Sequence, residues 1–306
     1  MTLLAVPNFS EGRDTSVIAA IRAVLDADHA LLDRHSDREH NRTVYTVAGE
    51  GPALDDLLAG AAQVALERID MRRHRGLHPC IGALDVCPVV WLDEDAHEGA
   101  RERARAVAAR IAGLGIPVFL YGELAGSEDR RERAFFREGG LEALGARMAS
   151  GELAPDFGPP IPHQTEGATL VTARPPLAAF NIELDTDAAI AQRVAAAIRE
   201  SGGGPPGVRA IGLPLGPGRS QVSTNVHDPI AVPLRMIVER VKELAAAQGA
   251  RPVEAEIVGL VPAAAMQGFP ADLPIRGFDP RRHLIEQRAL GAGKPQVQAL
   301  RRPRPE

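Results

Sequence analysis

The sequence predicts an α/β (α+β) chain of two similar subdomains, each a mixed β-sheet with helices on one face, and a groove between them. Three observations carry that expectation. Apolar runs of strand length alternate with segments of helical periodicity. The order strand, helix, strand, strand, helix, strand occurs twice, and a Pro-rich stretch separates the two passages. With 306 residues, 45% of them hydrophobic, the chain is long enough to bury a substantial core.

The first passage opens with an apolar run at residues 2–6. Val17, Ile18, Ile21, Val24 and Leu25 then recur at helical spacing, with Asp14 as the capping residue. Leu31 to Asp33 and Thr43 to Val47 read as extended. Pro52 opens a second helix that buries Leu54, Leu57, Leu58, Ala61 and Ile69. LDVCPVVWL, Leu84 to Leu92, is too continuously apolar for a surface strand, and IPVFLY, Ile116 to Tyr121, repeats the pattern after a further helix. APDFGPPIPHQTEG follows as a loop or linker, because its prolines exclude helix and interior strand.

The second passage begins with the strand LAAFNIEL. Ile190, Val194, Ala197 and Ile198 mark a helix that SGGGPPG ends, and GVRAIGLPL and QVSTNV read as strands. Leu234, Ile237, Val238, Val241 and Leu244 form a helical stripe before the strand VEAEIVGLVP. Units of this order are of the split βαβ, ferredoxin-like type. The boundaries expected are 1–176 and 177–290, with 291–306, polar, basic and proline-rich, as a disordered tail.

Charge and composition exclude several classes. A formal net charge of −5, from 35 basic and 40 acidic side chains in mixed order, provides no basic stripe for nucleic acid. No apolar run approaches membrane-spanning length, and MTLLAVPNFSEGR lacks the features of a secretory leader, so a cytoplasmic protein without membrane partners is expected. Cys80 and Cys87 are too few for a disulfide scaffold and read as reduced thiols. Nine histidines offer acid/base chemistry near neutral pH. His74 and His78 have the HxxxH spacing of a metal site on a helix. Gly76 between them and Pro79 after them argue against that helix, no third ligand stands at suitable spacing, and no metal is expected. His78 instead sits in a loop before a buried strand, where an acid/base group is well presented.

The motifs resemble, in order, those of the glutamate formiminotransferase family. They are VPNFSEGR (Val6–Arg13), NRTVYT (Asn41–Thr46), HPCIGALDVCP (His78–Pro88), VFLYGE (Val118–Glu123), APDFGP (Ala154–Pro159), AFNIEL (Ala179–Leu184), QVSTN (Gln221–Asn225) and VGLVP (Val258–Pro262). The resemblance implies two α/β subdomains with a folate site between them, a homodimer, and formimino transfer from N-formimino-L-glutamate to N5 of tetrahydrofolate. Tetrahydrofolate would be co-substrate, and the setting one-carbon metabolism and histidine degradation.

His78 matches the histidine that the family uses as general acid/base. The segment Gly158, Pro159, Pro160, Ile161, Pro162, His163, Gln164, Thr165, Glu166 and Gly167 matches the loop that contacts folate in similar enzymes. Two anionic substrates call for cations, and Arg13, Arg42 and Arg174 lie in or beside matched motifs. Asn8, Asn41 and Asn181 are candidates to orient polar substrate atoms; equally, they satisfy turn and strand-end backbone groups.

Four positions depart from the family pattern. Leu77 stands where an acid is common, Cys80 where an Arg is common and Pro175 where a Lys is common, and His35 occupies a position acidic in relatives. Arg34, Arg38 or Arg75 would have to replace the missing cations. The alternatives this leaves are a folate-dependent one-carbon transferase with another formyl or formimino donor, and a non-catalytic folate-binding protein. No cyclodeaminase extension is expected, so a separate enzyme would consume the product.

Overall fold

A computed structural model describes residues 2–27, 30–92 and 94–291. The chain divides into two compact units, Met1–Arg174 and Pro175–Glu306.

In the first unit the opening apolar run forms β1 (Leu3–Ala5) and β2 (Asn8–Phe9), with Pro7, which has no N–H to donate, at the break. Asp14 caps α1 (Thr15–Leu25), accepting from the amides of Ser16 and Val17. β3 (Leu31–Asp37) and β4 (Arg42–Gly49) extend beyond the apolar cores predicted for them, and α2 (Gly51–Arg68) starts at Pro52 as expected. β5 (Leu84–Val90) is buried at every position. After α3 (His97–Ala112) come β6 (Val118–Leu120), the short α4 (Arg133–Arg137) and α5 (Gly140–Ala149). The Pro-rich passage is a loop as predicted but not a linker. It leads into β7 (Thr169–Arg174), a strand the sequence reading missed, which pairs in parallel with β5 and β6 inside the first sheet.

β4 pairs with β1, β2 and β3, and β1 and β2 pair with β5, all antiparallel. The sheet is therefore mixed. Because side chains alternate along a strand, Tyr45, Val47, Val118, Leu120, Val171 and Ala173 face α1, α2 and α3 in one core. Phe119 and Leu170 face the other way, into a core with Phe136 of α4 and Leu144 and Met148 of α5. Helices thus cover both faces of the first sheet, where one face was expected. The extra layer accompanies the added parallel strands, whose two faces must both be buried.

The second unit runs β8 (Ala178–Leu184), α6 (Ala188–Ile198), β9 (Val208–Gly216), β10 (Arg219–Val226), α7 (Leu234–Ala246) and β11 (Pro252–Val258). Its sheet, in the order β11-β8-β10-β9, is antiparallel throughout. Phe180, Ile182 and Val222 pack against Val194, Ile198, Ile237 and Val241 of the helices. Stripped of β6, β7 and their helices, the first unit has the same strand order, so the predicted duplication is one of topology rather than of size. The tail expected as disordered lies, from residue 292, outside the described residues.

Candidate active site

His78 lies in the irregular segment between α2 and β5, not on a helix. That segment is fastened from three sides. Gly82 O accepts from Ser10 Oγ (2.7 Å), and Ser10 N donates to Ala83 O (2.8 Å). Asp85 Oδ1 accepts from Ile81 N (2.7 Å), and Leu77 N donates to Glu39 O (3.2 Å). From the Pro-rich loop, Glu166 accepts from Leu84 N through Oε1 (2.7 Å) and from Ala83 N through its backbone carbonyl (2.8 Å). Gly76 is required here: a Cβ on it would stand 2.2 Å from His40 O.

A cleft of about 210 Å³ opens beside this segment, lined by Asn8, Phe9, Ser10, His40, Asn41, Arg42, His74, His78, Cys80 and Asp85. The strand registers explain part of the gathering. His35, Val44, Asn8 and Val86 form one cross-strand row, and Asp37 stands opposite Arg42, so these side chains share the sheet face that α1, α2 and α3 leave free. Of the predicted residues, His78, Asn8, Asn41 and Arg42 meet in the cleft. Asn41, in left-handed backbone (φ 50°), is already engaged there. Its Oδ1 accepts from Gly12 N (2.9 Å), and its Nδ2 donates to Arg75 O (3.2 Å) and approaches His74 Nδ1 (3.3 Å).

The others fall elsewhere. His35 is on the same face but two strands from Asn8. Arg13 is exposed, with its Nε donating to Arg38 O (2.8 Å). Arg174 ends β7 near Tyr121 and Arg133, and burial lowers its pKa to about 10. Asn181, in the second unit, donates to Glu256 Oε2 (2.9 Å). In the Pro-rich loop Gly158, Pro160, Ile161 and Gln164 are exposed, Pro159, Pro162, His163 and Thr165 half-buried, and Glu166 and Gly167 buried.

Sequence reasoning missed the cations that matter most. Arg34, Arg38 and Arg75 do not line the cleft; Arg75 donates to His74 O (2.7 Å) at the surface. Arg133 and Arg137 of α4 act on His78 instead, together with Arg42, and Arg137 also pairs with Asp85. Nothing in the spacing of RERAFFR signalled this, because only tertiary packing sets α4 on the sheet face that the cleft residues share. His40 was missed for the same kind of reason: only the β3–β4 turn brings it to His78.

Burial first, then the charges of Arg42, Arg137, Arg133 and His40, hold the His78 pKa well below the ordinary imidazole value. Its resting form at neutral pH is the free base. Burial likewise lowers Arg42 to about 10, with Arg137 and Arg133 opposing its charge against the help of Asp37 and Asp85. The Cys80 thiol is pushed up to about 11, mainly by burial, which disfavours a nucleophilic thiolate. Among the described residues no group of three or more His, Cys, Asp and Glu is placed to hold a metal ion, and no helix is long and apolar enough to cross a membrane.

The models of the formiminotransferase domain match this chain twice, the N-terminal subdomain over residues 2–174 and a second formiminotransferase segment over 179–270. The chain belongs to the formiminotransferase family. It is 37% identical to the glutamate formimidoyltransferase of Streptococcus pyogenes serotype M1, over 94% of this chain and 98% of that one. The glutamate formimidoyltransferase of Thermoplasma acidophilum is 38% identical over 90% of this chain and 93% of its own. The formimidoyltransferase-cyclodeaminase of Gallus gallus is 42% identical over 85% of this chain; the match spans 50% of that relative's length.

Proposed function

We propose that the protein is a glutamate formimidoyltransferase that moves the formimino group between N-formimino-L-glutamate and N5 of tetrahydrofolate, with His78 as general acid/base. The observation that carries the mechanism is a half-buried imidazole, held in its neutral form, in a cleft that it shares with Arg42 and Asp85.

As the bond from N5 to the formimino carbon forms, neutral His78 takes the proton of the attacking amine. It returns that proton to the glutamate nitrogen as the carbon–nitrogen bond breaks, so one side chain serves both steps without net proton change. Arg42, under-neutralised by its neighbours, offers a charge-assisted seat for a donor carboxylate, with Arg133 and Arg137 adding to the field. In this reading the cleft receives the reacting ends of the two substrates, beside His78 and Arg42. The exposed and half-buried residues from Gly158 to Thr165 provide the folate contact in this reading, while Glu166 and Gly167 anchor that loop to the His78 segment. Arg13, His35, Arg174 and Asn181, substrate-binding candidates from the sequence, do not line the cleft. The protein would act in the cytoplasm as a homodimer in one-carbon metabolism and histidine degradation.

Purified protein is incubated with tetrahydrofolate and N-formimino-L-glutamate, wild type beside His78→Ala. Transfer by the wild type alone supports the reading. Binding of tetrahydrofolate without transfer at saturating donor refutes the donor, and full transfer by the variant refutes the role of His78. Cys80, lining the cleft where relatives often carry Arg, favours a second reading with a different formyl or formimino donor; a donor screen separates the two.

A further inference from the structure

The turn between β3 and β4 is built around Asp37. Its Oδ1 accepts from the amides of Glu39 and His40, both at 2.8 Å, and its Oδ2 lies 3.3 Å from His40 Nδ1. The turn is held against the His78 segment by the Leu77–Glu39 backbone bond, by the packing of Gly76 on His40 O, and by Asn41, which bonds to Gly12 and Arg75. The consequence is a fixed pair of imidazoles: the His40 and His78 rings stand 6.1 Å apart, centre to centre, at 56°. His40 lines the cleft yet is only 1% exposed, so it acts through His78 rather than on substrate.

We propose that His40, oriented by Asp37, is a positioning residue for His78 that governs how readily the His78 imidazolium gives up its proton. This rests on the reading of His78 as acid/base. A charge on either ring disfavours a proton on the other, and at this separation the charge of His40 lowers the proton affinity of His78. The proton that His78 has taken from the folate amine is thereby driven onward to the glutamate nitrogen. The other groups facing His78 are Arg42 from β4, Arg133 and Arg137 from α4, Asp85 from β5, and His74 and Cys80 from its own segment. The arginines keep their charge throughout the working range. His74 has Asn41 Nδ2 beside its Nδ1, which makes that nitrogen an acceptor and fixes a different tautomeric role. His40 is thus the neighbouring imidazole whose charge bears on His78.

The test compares pH profiles of kcat/KM for wild type, His40→Asn and His40→Phe. The acidic limb is expected to move to higher pH by about half a unit or more in both variants, with kcat reduced several-fold. A merely structural role would lower kcat and leave the limb within about 0.2 units of wild type, which overturns the proposal. In wild-type protein, nitrogen-15 NMR of the imidazoles between about pH 4 and 8 gives a second readout. The His78 resonances, identified by their loss in His78→Ala, are expected to show a second inflection at the titration of His40. An independent single-site curve overturns the proposal. Because the NMR readout needs no turnover, absence of transfer by the wild type would refute the enzymatic reading without touching the coupling of the two rings.

Discussion

His78 is half-buried and Glu166 fully buried, and loss of solvent drives their proton affinities in opposite senses because it disfavours whichever form is charged. For His78 the folded-state value falls well below 6.5. Its contribution to stability is therefore fully present above about 6.5 and is lost as pH falls towards the folded value. The same depression fixes activity: the acidic limb of kcat/KM should lie below pH 6.5, and an activity profile whose limb lies above that value would contradict a neutral resting imidazole. His78→Ala should lower kcat by roughly 10²–10⁴-fold, read as formimino transfer at saturating substrates. Glu166 is raised to about 8 from 4.5, so its contribution is fully present below about 4.5 and is lost as pH rises through 8. Glu166→Gln keeps an acceptor for Leu84 N but cannot ionise. The Tm of this variant relative to wild type is expected to climb between about pH 5 and 8; a constant difference across that range would mean that the folded protein already holds Glu166 charged.

The elements around the site work as clamps, and two substitutions separate their tasks. Gly76→Ala forces a Cβ against His40 O, a backbone atom with little room to yield. It should cut kcat by at least an order of magnitude, since reacting groups tolerate displacements well under 1 Å, while circular dichroism stays that of the wild type. Asp85→Asn leaves Arg137 of α4 without its buried carboxylate and weakens the hold on Ile81 N. The expected loss is about 3–5 kcal/mol by urea denaturation, accompanied by weaker donor binding if α4 no longer presents its arginines. These clamps also show what could be read from sequence. Asp14 and Pro52 announced two helices because capping and proline geometry are local. The buried strand at Leu84 and the loop character of HRGLHP were legible for the same reason. β7 was not: TLVTAR is too short and too mixed to stand out beside the prolines before it, and only its pairing with β5 and β6 makes it a strand. Within the site, His78, Asn8, Asn41 and Arg42 were legible through motif resemblance. Arg133, Arg137, Asp85 and His40 were not, because tertiary packing alone sets their distance to His78.

At the scale of the whole chain, two units share a strand order but not a burden. The first carries the parallel extension, two core layers and the cleft, while the second closes one core between an antiparallel sheet and two helices. Each core is complete within its own unit, so damage to one should stay local. Phe180 tests this. It is fully buried in the second core and meets Phe269 edge to face, with ring centres 5.9 Å apart. Phe180→Ala removes that packing and leaves a cavity, at a cost of about 3–5 kcal/mol. Hydrogen exchange of the full-length variant should then show faster exchange in β8, β10 and β11, whose amides depend on that core, while β5 and β7 keep their protection. Transfer activity would fall only as far as the second unit supports substrate binding, so KM should rise more than kcat drops. Equal loss of protection in β5 would show instead that the two units unfold as one cooperative body, and that the cleft around His78 owes its rigidity to both.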